Sequence, residues 1–286
     1  MPESDSHSPR RPGAGCPSPA VTRRQPWSAR RASLPALVAS LLLAVSAPAL
    51  SAKGKLVWQD EFDGGALDAT KWSPTPRGPS DWNRKMSKAP GLIEVKDGLL
   101  RLHGVVNPDR SKDPSDFLTG GVTSTGKFQF LRGRIEVRAR FKSAQGAWPA
   151  IWLLASDVRW PSGGEIDLME HLNFDDFVYH SVHTPYTLDP KTPRPAGNSK
   201  TAKVDRDAFN VYGLDWTDDR MQFLVNGAKT FAYPRDATKG PGQWPFQVPQ
   251  HVKLSMQIGG KWVGEPNPLH YPAFMEIDWV RVYAPE

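Results

Sequence analysis

Polar and apolar residues alternate without interruption from Gly133 to Phe141. Ile135, Val137, Ala139 and Phe141 fall on one side, and Arg134, Glu136, Arg138 and Arg140 on the other. A period of two is what a half-buried strand requires, and no helix places those four apolar residues on one face. Related patterns recur along the chain. Ile93–Leu102 and Met221–Phe231 each hold two short apolar runs around Asp97-Gly98 and Asn226-Gly227, pairs that accept the positive φ of a type I′ hairpin turn. Further strands are expected over Lys55–Phe62, Thr119–Phe130, Ala147–Leu154, Glu165–His171, Phe177–His183, Asn210–Trp216, His251–Ile258 and Phe274–Tyr283. No segment carries a helical stripe over a dozen residues, and 24 Gly with 28 Pro disfavour long helices. Closely spaced strands without alternating helices predict an all-β sandwich or barrel. Pro185–Lys200 is read as a surface loop.

The first 52 residues differ from the rest. Residues 1–33 are rich in Ser, Pro and Arg, and an uncharged run follows from Leu34 to Ala52. Basic flank, apolar stretch and small residues are the layout of a secretory leader, with cleavage expected between Ala49 and Ala52. An uncleaved membrane anchor is the alternative. The expected organisation is therefore a targeting segment over 1–52 and one β-sandwich domain over 53–286, working outside the cytoplasm, secreted or periplasmic. No stable membrane association is expected once the leader is removed. Of the net charge of +6, six arginines against Glu3 and Asp5 put +4 in the leader, leaving +2 for residues 53–286. That is no basic field for nucleic acid. Cys16, the single cysteine, also lies in the leader, so disulfides, thiolate catalysis and cysteine metal sites are excluded from the domain.

The chemistry concentrates in Gly163–His171, GGEIDLMEH. Strict alternation puts Glu165 and Asp167 on one face and Ile166 and Leu168 in the core, but it would also bury Glu170 among apolar side chains at high cost. One extra residue at Met169, a β-bulge, returns Glu170 to the side of the other two acids. Three acids on one strand face repel each other, and crowding drives their pKa values apart. Glycoside hydrolysis uses such a set: one ionised carboxylate as nucleophile and one protonated carboxyl as general acid. A solvent-facing acidic strand or a cation site is the bland alternative. No G-x-S-x-G elbow, H-E-x-x-H pair, phosphate loop or dinucleotide fingerprint competes.

GEIDLME resembles the Glu-x-Asp-x-x-Glu signature of glycoside hydrolase family 16 in its bulged, laminarinase-like form. LVWQDEFDG, GRIEVRARF, GAWPAIWLL, VYGLDWT and MEIDWVRVY resemble family segments in family order, so the resemblance covers nearly all of residues 55–286. It implies a jelly roll of two antiparallel sheets with a concave substrate cleft. It also implies Glu165 as nucleophile, Glu170 as acid/base, Asp167 as assisting acid, and double displacement with retention and no cofactor. An endo-acting hydrolase follows, monomeric, with a polysaccharide as its partner. A β-1,3-glucan of the laminarin type is the default substrate. SDWNRKMS replaces a Gly/Asn-rich segment, and His171 replaces an aromatic after the motif. Endo-β-galactosidase action on galactan, keratan or mucin-type glycans therefore stands beside the glucan reading. A non-catalytic carbohydrate-binding protein is the alternative from another class, disfavoured because all three acids are kept.

Around the acids, Trp148 and Trp152 lie four apart on one strand face, and sugar faces stack on indoles. The resemblance favours Trp148 as the cleft residue. Pro149 between them suggests local distortion or a sheet edge. His183 resembles a family histidine near the acid/base, whereas His171 is read as structural. Trp82, Asn83 and Arg84 in one loop, and Trp262 in another, are candidate rim contacts for substrate. Trp160, Trp216, Trp244 and Trp279 are assigned to packing. The resemblance also implies a possible structural calcium at Asp278 with groups around Glu61.

Overall fold

The computed structural model describes residues 54–285 apart from Pro195, so the leader expected over 1–52 and Cys16 lie outside the described residues. The period-two segments pair as antiparallel strands. In chain order they are β1 (Leu56–Asp60), β2 (Ser73–Pro74), β3 (Ile93–Lys96), β4 (Leu99–Val106), β5 (Phe117–Thr119) and β6 (Gly121–Thr123). There follow β7 (Gly133–Lys142), β8 (Ala147–Ala155), β9 (Glu165–Glu170), β10 (Phe177–His183) and β11 (Ser199–Lys203). The last five are β12 (Asn210–Trp216), β13 (Arg220–Val225), β14 (Ala228–Pro234), β15 (Gln250–Ile258) and β16 (Ala273–Tyr283).

They form two sheets. One has nine strands in the order β14-β13-β12-β7-β16-β4-β3, with β1 added on β16 and β5 on β4. The other has seven, in the order β11-β10-β9-β8-β15-β6-β2. This is an all-β jelly roll. Its core is built from the apolar half of each alternation: Ile135, Val137 and Ala139 from β7, Ile277, Val280 and Val282 from β16, Ile151 and Leu153 from β8, and Val252, Leu254 and Met256 from β15. Each such side chain removed from water contributes about 1.5–3 kcal/mol against the entropy of ordering the chain. Both hairpin turns take the backbone their residues favour, with φ of 55° and 72° at Asp97-Gly98 and 51° and 80° at Asn226-Gly227.

Three expectations need correction. Thr119–Phe130 is not one strand: β6 ends at Thr123 and the chain turns through Gly126 at φ 71°. Ser124 closes that turn by donating its hydroxyl to the Phe128 carbonyl at 2.8 Å. Pro185–Lys200 is not all loop. Thr184 caps a single helical turn, α1 (Pro185–Leu188), and Ser199–Lys203 joins the seven-stranded sheet beyond β10. Pro149 does not mark an edge, because β8 pairs with β9 on one side and β15 on the other.

Candidate active site

The seven-stranded sheet carries the site on its face away from the core. β9 is its central element. Asp167 is opposite Ser181 of β10 and Glu170 is opposite Tyr179, so Leu168 and Met169 together oppose the single residue His180. On the other side Trp152 meets Asp167 while Ile151 meets Met169, which skips Leu168. Two residues against one is a bulge. Leu168 and Met169 both enter the core, and Glu170 emerges beside Asp167 and Glu165 instead of being driven inward. His180 supports this step from within: its Nδ1 lies 2.7 Å from the Leu168 carbonyl, and its Nε2 lies 3.0 Å from the Thr230 hydroxyl. Burial pushes His180 down to about 4, so it is neutral, with Nδ1–H donating to the bulge carbonyl.

The three acids have no arginine or lysine in an ion pair among the described residues. Trp148 donates its indole N–H to Glu170 Oε1 at 3.0 Å. His183, opposite Glu165, places Nε2 3.2 Å from Asp167 Oδ2. Among the described residues that buried oxygen accepts no hydrogen bond, so a proton shared within the cluster can rest on it. Burial is the main force on all three. It pushes Glu165 up to about 8, with the Asp167 charge adding to it while His183 and the Trp160 indole oppose it. Asp167 is also pushed up to about 8, its hydrogen bond with Glu165 pulling the other way. Glu170 rises well above the ordinary glutamate range through burial and then through the charges of Asp167 and Glu165, against His183 and the Trp148 N–H. The cluster therefore shares protons at neutral pH. Ligand atoms of Glu165, Asp167 and His183 lie within 4.8 Å of one another, so they have the spacing of a metal site as well.

Aromatic walls surround the acids. Trp262, 47% exposed, stands edge-to-face on Trp148 at 5.4 Å and on Tyr179 at 5.1 Å. Trp82 stands edge-to-face on Trp152 at 5.0 Å. Trp152 itself is buried and donates to Ser255 Oγ at 3.0 Å. Asn83 and Arg84, beside Trp82, are engaged within their own loop. Asn83 is buried against Gly78 and holds its own loop through Ser80 and Met86, while Arg84 is exposed and paired with Asp81 at 3.2 Å. The register of β1 on β16, Asp60 opposite Val280, brings Glu61 toward Asp278, but each carboxylate is already taken by an arginine. Arg281 grips Glu61 through two bonds of 2.8 and 2.9 Å, and Arg138 pairs with Asp278. Carboxylates so neutralised do not fit a dication. His171 is buried against Phe141 and reaches the Asp175 carbonyl at 2.8 Å, a structural role.

Several residues at the site escaped the reading of the sequence. Trp160 is 49% exposed and serves Glu165 rather than packing. Lys253, Ser255 and Gln257 of β15 lie on the same face as the acids, since Val252, Leu254, Met256 and Ile258 point into the interior. The signal was present in β15 as a second alternation, polar on every odd position.

A jelly roll with a carboxylate trio on one sheet, flanked by indoles, defines the class of sugar-cleaving hydrolases. Residues 93–281 match Glycosyl hydrolases family 16. The keratan-sulfate endo-1,4-β-galactosidase of Sphingobacterium multivorum is 36% identical over 80% of this chain and 55% of its own length. The β-glucanase of Rhodothermus marinus is 33% identical over 80% of this chain and 85% of its own. The crystal structure of SCLam, a non-specific endo-β-1,3(4)-glucanase from the same family, superposes with a TM-score of 0.74 at 31% identity, covering 83% of this chain and 94% of that one. The chain belongs to glycoside hydrolase family 16. It spans about half the length of the keratan-sulfate relative.

Proposed function

We propose that this protein is an endo-acting β-glycoside hydrolase that cuts internal bonds of a polysaccharide by double displacement. The supporting observation is the bulge at Leu168–Met169, which brings Glu165, Asp167 and Glu170 to one face. Glu165 attacks the anomeric carbon while Glu170 protonates the leaving oxygen. Glu170 then returns as base to activate water, and the sugar is released with its configuration retained. Asp167, buried between them with His183 at 3.2 Å, holds the proton and charge balance of the pair. Two carboxylates supply both roles, so no cofactor enters the reaction and hydrolysis survives EDTA.

The substrate is a β-1,3-glucan of the laminarin type, in keeping with the glucanase relatives. A second reading, endo-β-galactosidase action on keratan, galactan or mucin-type glycans, is favoured by the 36% identity to the keratan-sulfate enzyme and by the polar floor of Lys253, Ser255 and Gln257. The organisation we propose is a leader over 1–52 and a monomeric catalytic domain over 53–286, acting outside the cytoplasm. No described helix is long and apolar enough to cross a membrane. The test is incubation with laminarin, mixed-linkage glucan, agarose, keratan and mucin. Product sequencing gives the backbone, and proton NMR of the first anomer released gives the stereochemistry. Release of the inverted anomer would rule out the nucleophile.

A further inference from the structure

Lys253 is a cation in the floor of the site that forms no ion pair among the described residues. It lies on β15, an interior strand, and is only 7% exposed. Its ammonium stands 4.6 Å from the ring centre of Trp82 and 4.8 Å from that of Trp152. Among the described residues no carboxylate forms an ion pair with it. Glu165 acts on it only through the field, and burial pulls it down to about 8. In register, Lys253 faces Trp152 and Trp152 faces Asp167. Two strand spacings, about 10 Å, therefore separate Lys253 from the acids. Its side chain projects from the sheet face that carries the acids, the side on which a bound sugar would lie.

Indole faces attract an ammonium but leave its donors unused. If the role were to bind neutral hydroxyls, an uncharged Asn or Gln would do so without desolvating a charge. A planar carboxylate is matched best by the fork of arginine, whereas a compact tetrahedral oxyanion suits the point charge of lysine. We propose that Lys253, framed by Trp82 and Trp152, is a specificity-determining residue that binds a sulfate ester carried by the glycan. This rests on the reading of the site as a glycosidase, and on neither choice of backbone.

The test uses a sulfated and an unsulfated form of each backbone: keratan sulfate with desulfated keratan, and laminarin sulfate with laminarin. The quantity read is the ratio of kcat/KM within each pair, for the wild type, Lys253→Met and Lys253→Arg. On a backbone the protein cleaves, the wild type favours the sulfated form at least about tenfold, mostly through KM. Lys253→Met brings the ratio to about one, whatever its absolute rate, and Lys253→Arg keeps most of the preference. A wild-type ratio near one on every cleaved backbone, or a preference that survives in Lys253→Met, overturns the role of Lys253 and leaves the glycosidase reading intact. No hydrolysis of any backbone overturns that reading and this proposal with it.

Discussion

Glu276 and Glu170 are both glutamates on sheet faces, and both are more than nine-tenths buried, at 3% and 7% exposure. They titrate in opposite directions. Burial pulls Glu276 up, but Arg101 at 2.6 Å and Arg140 at 2.5 Å outweigh it and hold the carboxyl below its ordinary value. Glu170 has only His183 and one indole N–H to set against burial and two neighbouring acids, and it is raised. The contrast extends over the two sheets. On the nine-stranded sheet Asp215, Asp278 and Glu61 are each gripped by an arginine, Arg134, Arg138 and Arg281. On the seven-stranded sheet the three acids of β9 meet no arginine among the described residues, only His183 and the Trp148 indole. Burial alone does not set protonation. Neighbours decide whether its upward pull wins: one sheet overrules it with arginines for stability, while the other lets it prevail and keeps its carboxyls protonatable and therefore reactive.

Exchanging carboxylates for amides probes this contrast most strongly through activity. Glu165→Gln and Glu170→Gln each lower kcat on polysaccharide by about 10²–10⁴ or more, the range lost with a nucleophile or an acid/base. Glu276→Gln leaves kcat within about twofold, since it sits on the other sheet. Retention of full rate by Glu165→Gln would remove the chemical meaning of the difference between the sheets.

Stability reverses the ranking. Glu276→Gln strands Arg101 and Arg140 and costs about 1–3 kcal/mol in urea unfolding at pH 7, moderated because those arginines keep contact with water. Its native pKa is depressed, so the wild-type advantage is present above the unfolded glutamate pKa and is lost as pH falls through the lower folded value. Glu170 has the opposite sign. Its folded pKa is raised, so between about pH 4 and its folded value the native state holds a proton the unfolded chain has released, and stability falls as pH rises. Glu170→Gln is therefore expected to gain about 1–3 kcal/mol at pH 8 and nothing at pH 4. A Glu170→Gln protein that is less stable than wild type at pH 8 would place that carboxylate among the satisfied ones.

Much of this was legible in the sequence because strands write their faces as a period of two. The alternation in β7, the Asp97-Gly98 and Asn226-Gly227 turns, and the offset of Glu170 from Glu165 and Asp167 follow from local rules. What local rules did not reach depends on residues distant in the chain. A lysine inside a strand reads as solvent-facing, and only the fold sets Trp82 and Trp152 against Lys253. Trp160 looked like core because indoles usually are. Asn83 and Arg84 share a loop with Trp82, and local rules did not show that Gly78 and Asp81 engage them within it. Asp278 suggested a cation site until Arg138, paired from the neighbouring strand β7, supplied the charge.

The finest probe of the contrast is a single hydrogen bond. Trp148 Nε1–H favours the ionised form of Glu170 against the burial that opposes it, and it is the one direct donor to that carboxylate in the hydrogen bonds of the described residues. Trp148→Phe removes the N–H while keeping an aromatic ring for Trp262 to pack against. The acid then holds its proton to higher pH, so the alkaline limb of kcat/KM, which reports the free enzyme, moves upward by about half to one pH unit. Stacking on sugar is weakened at the same time, which raises KM across all pH values without moving the limb. A limb that stays in place while KM rises would confine Trp148 to stacking. A limb that moves down would mean that the proton lost on the alkaline side belongs to another member of the trio.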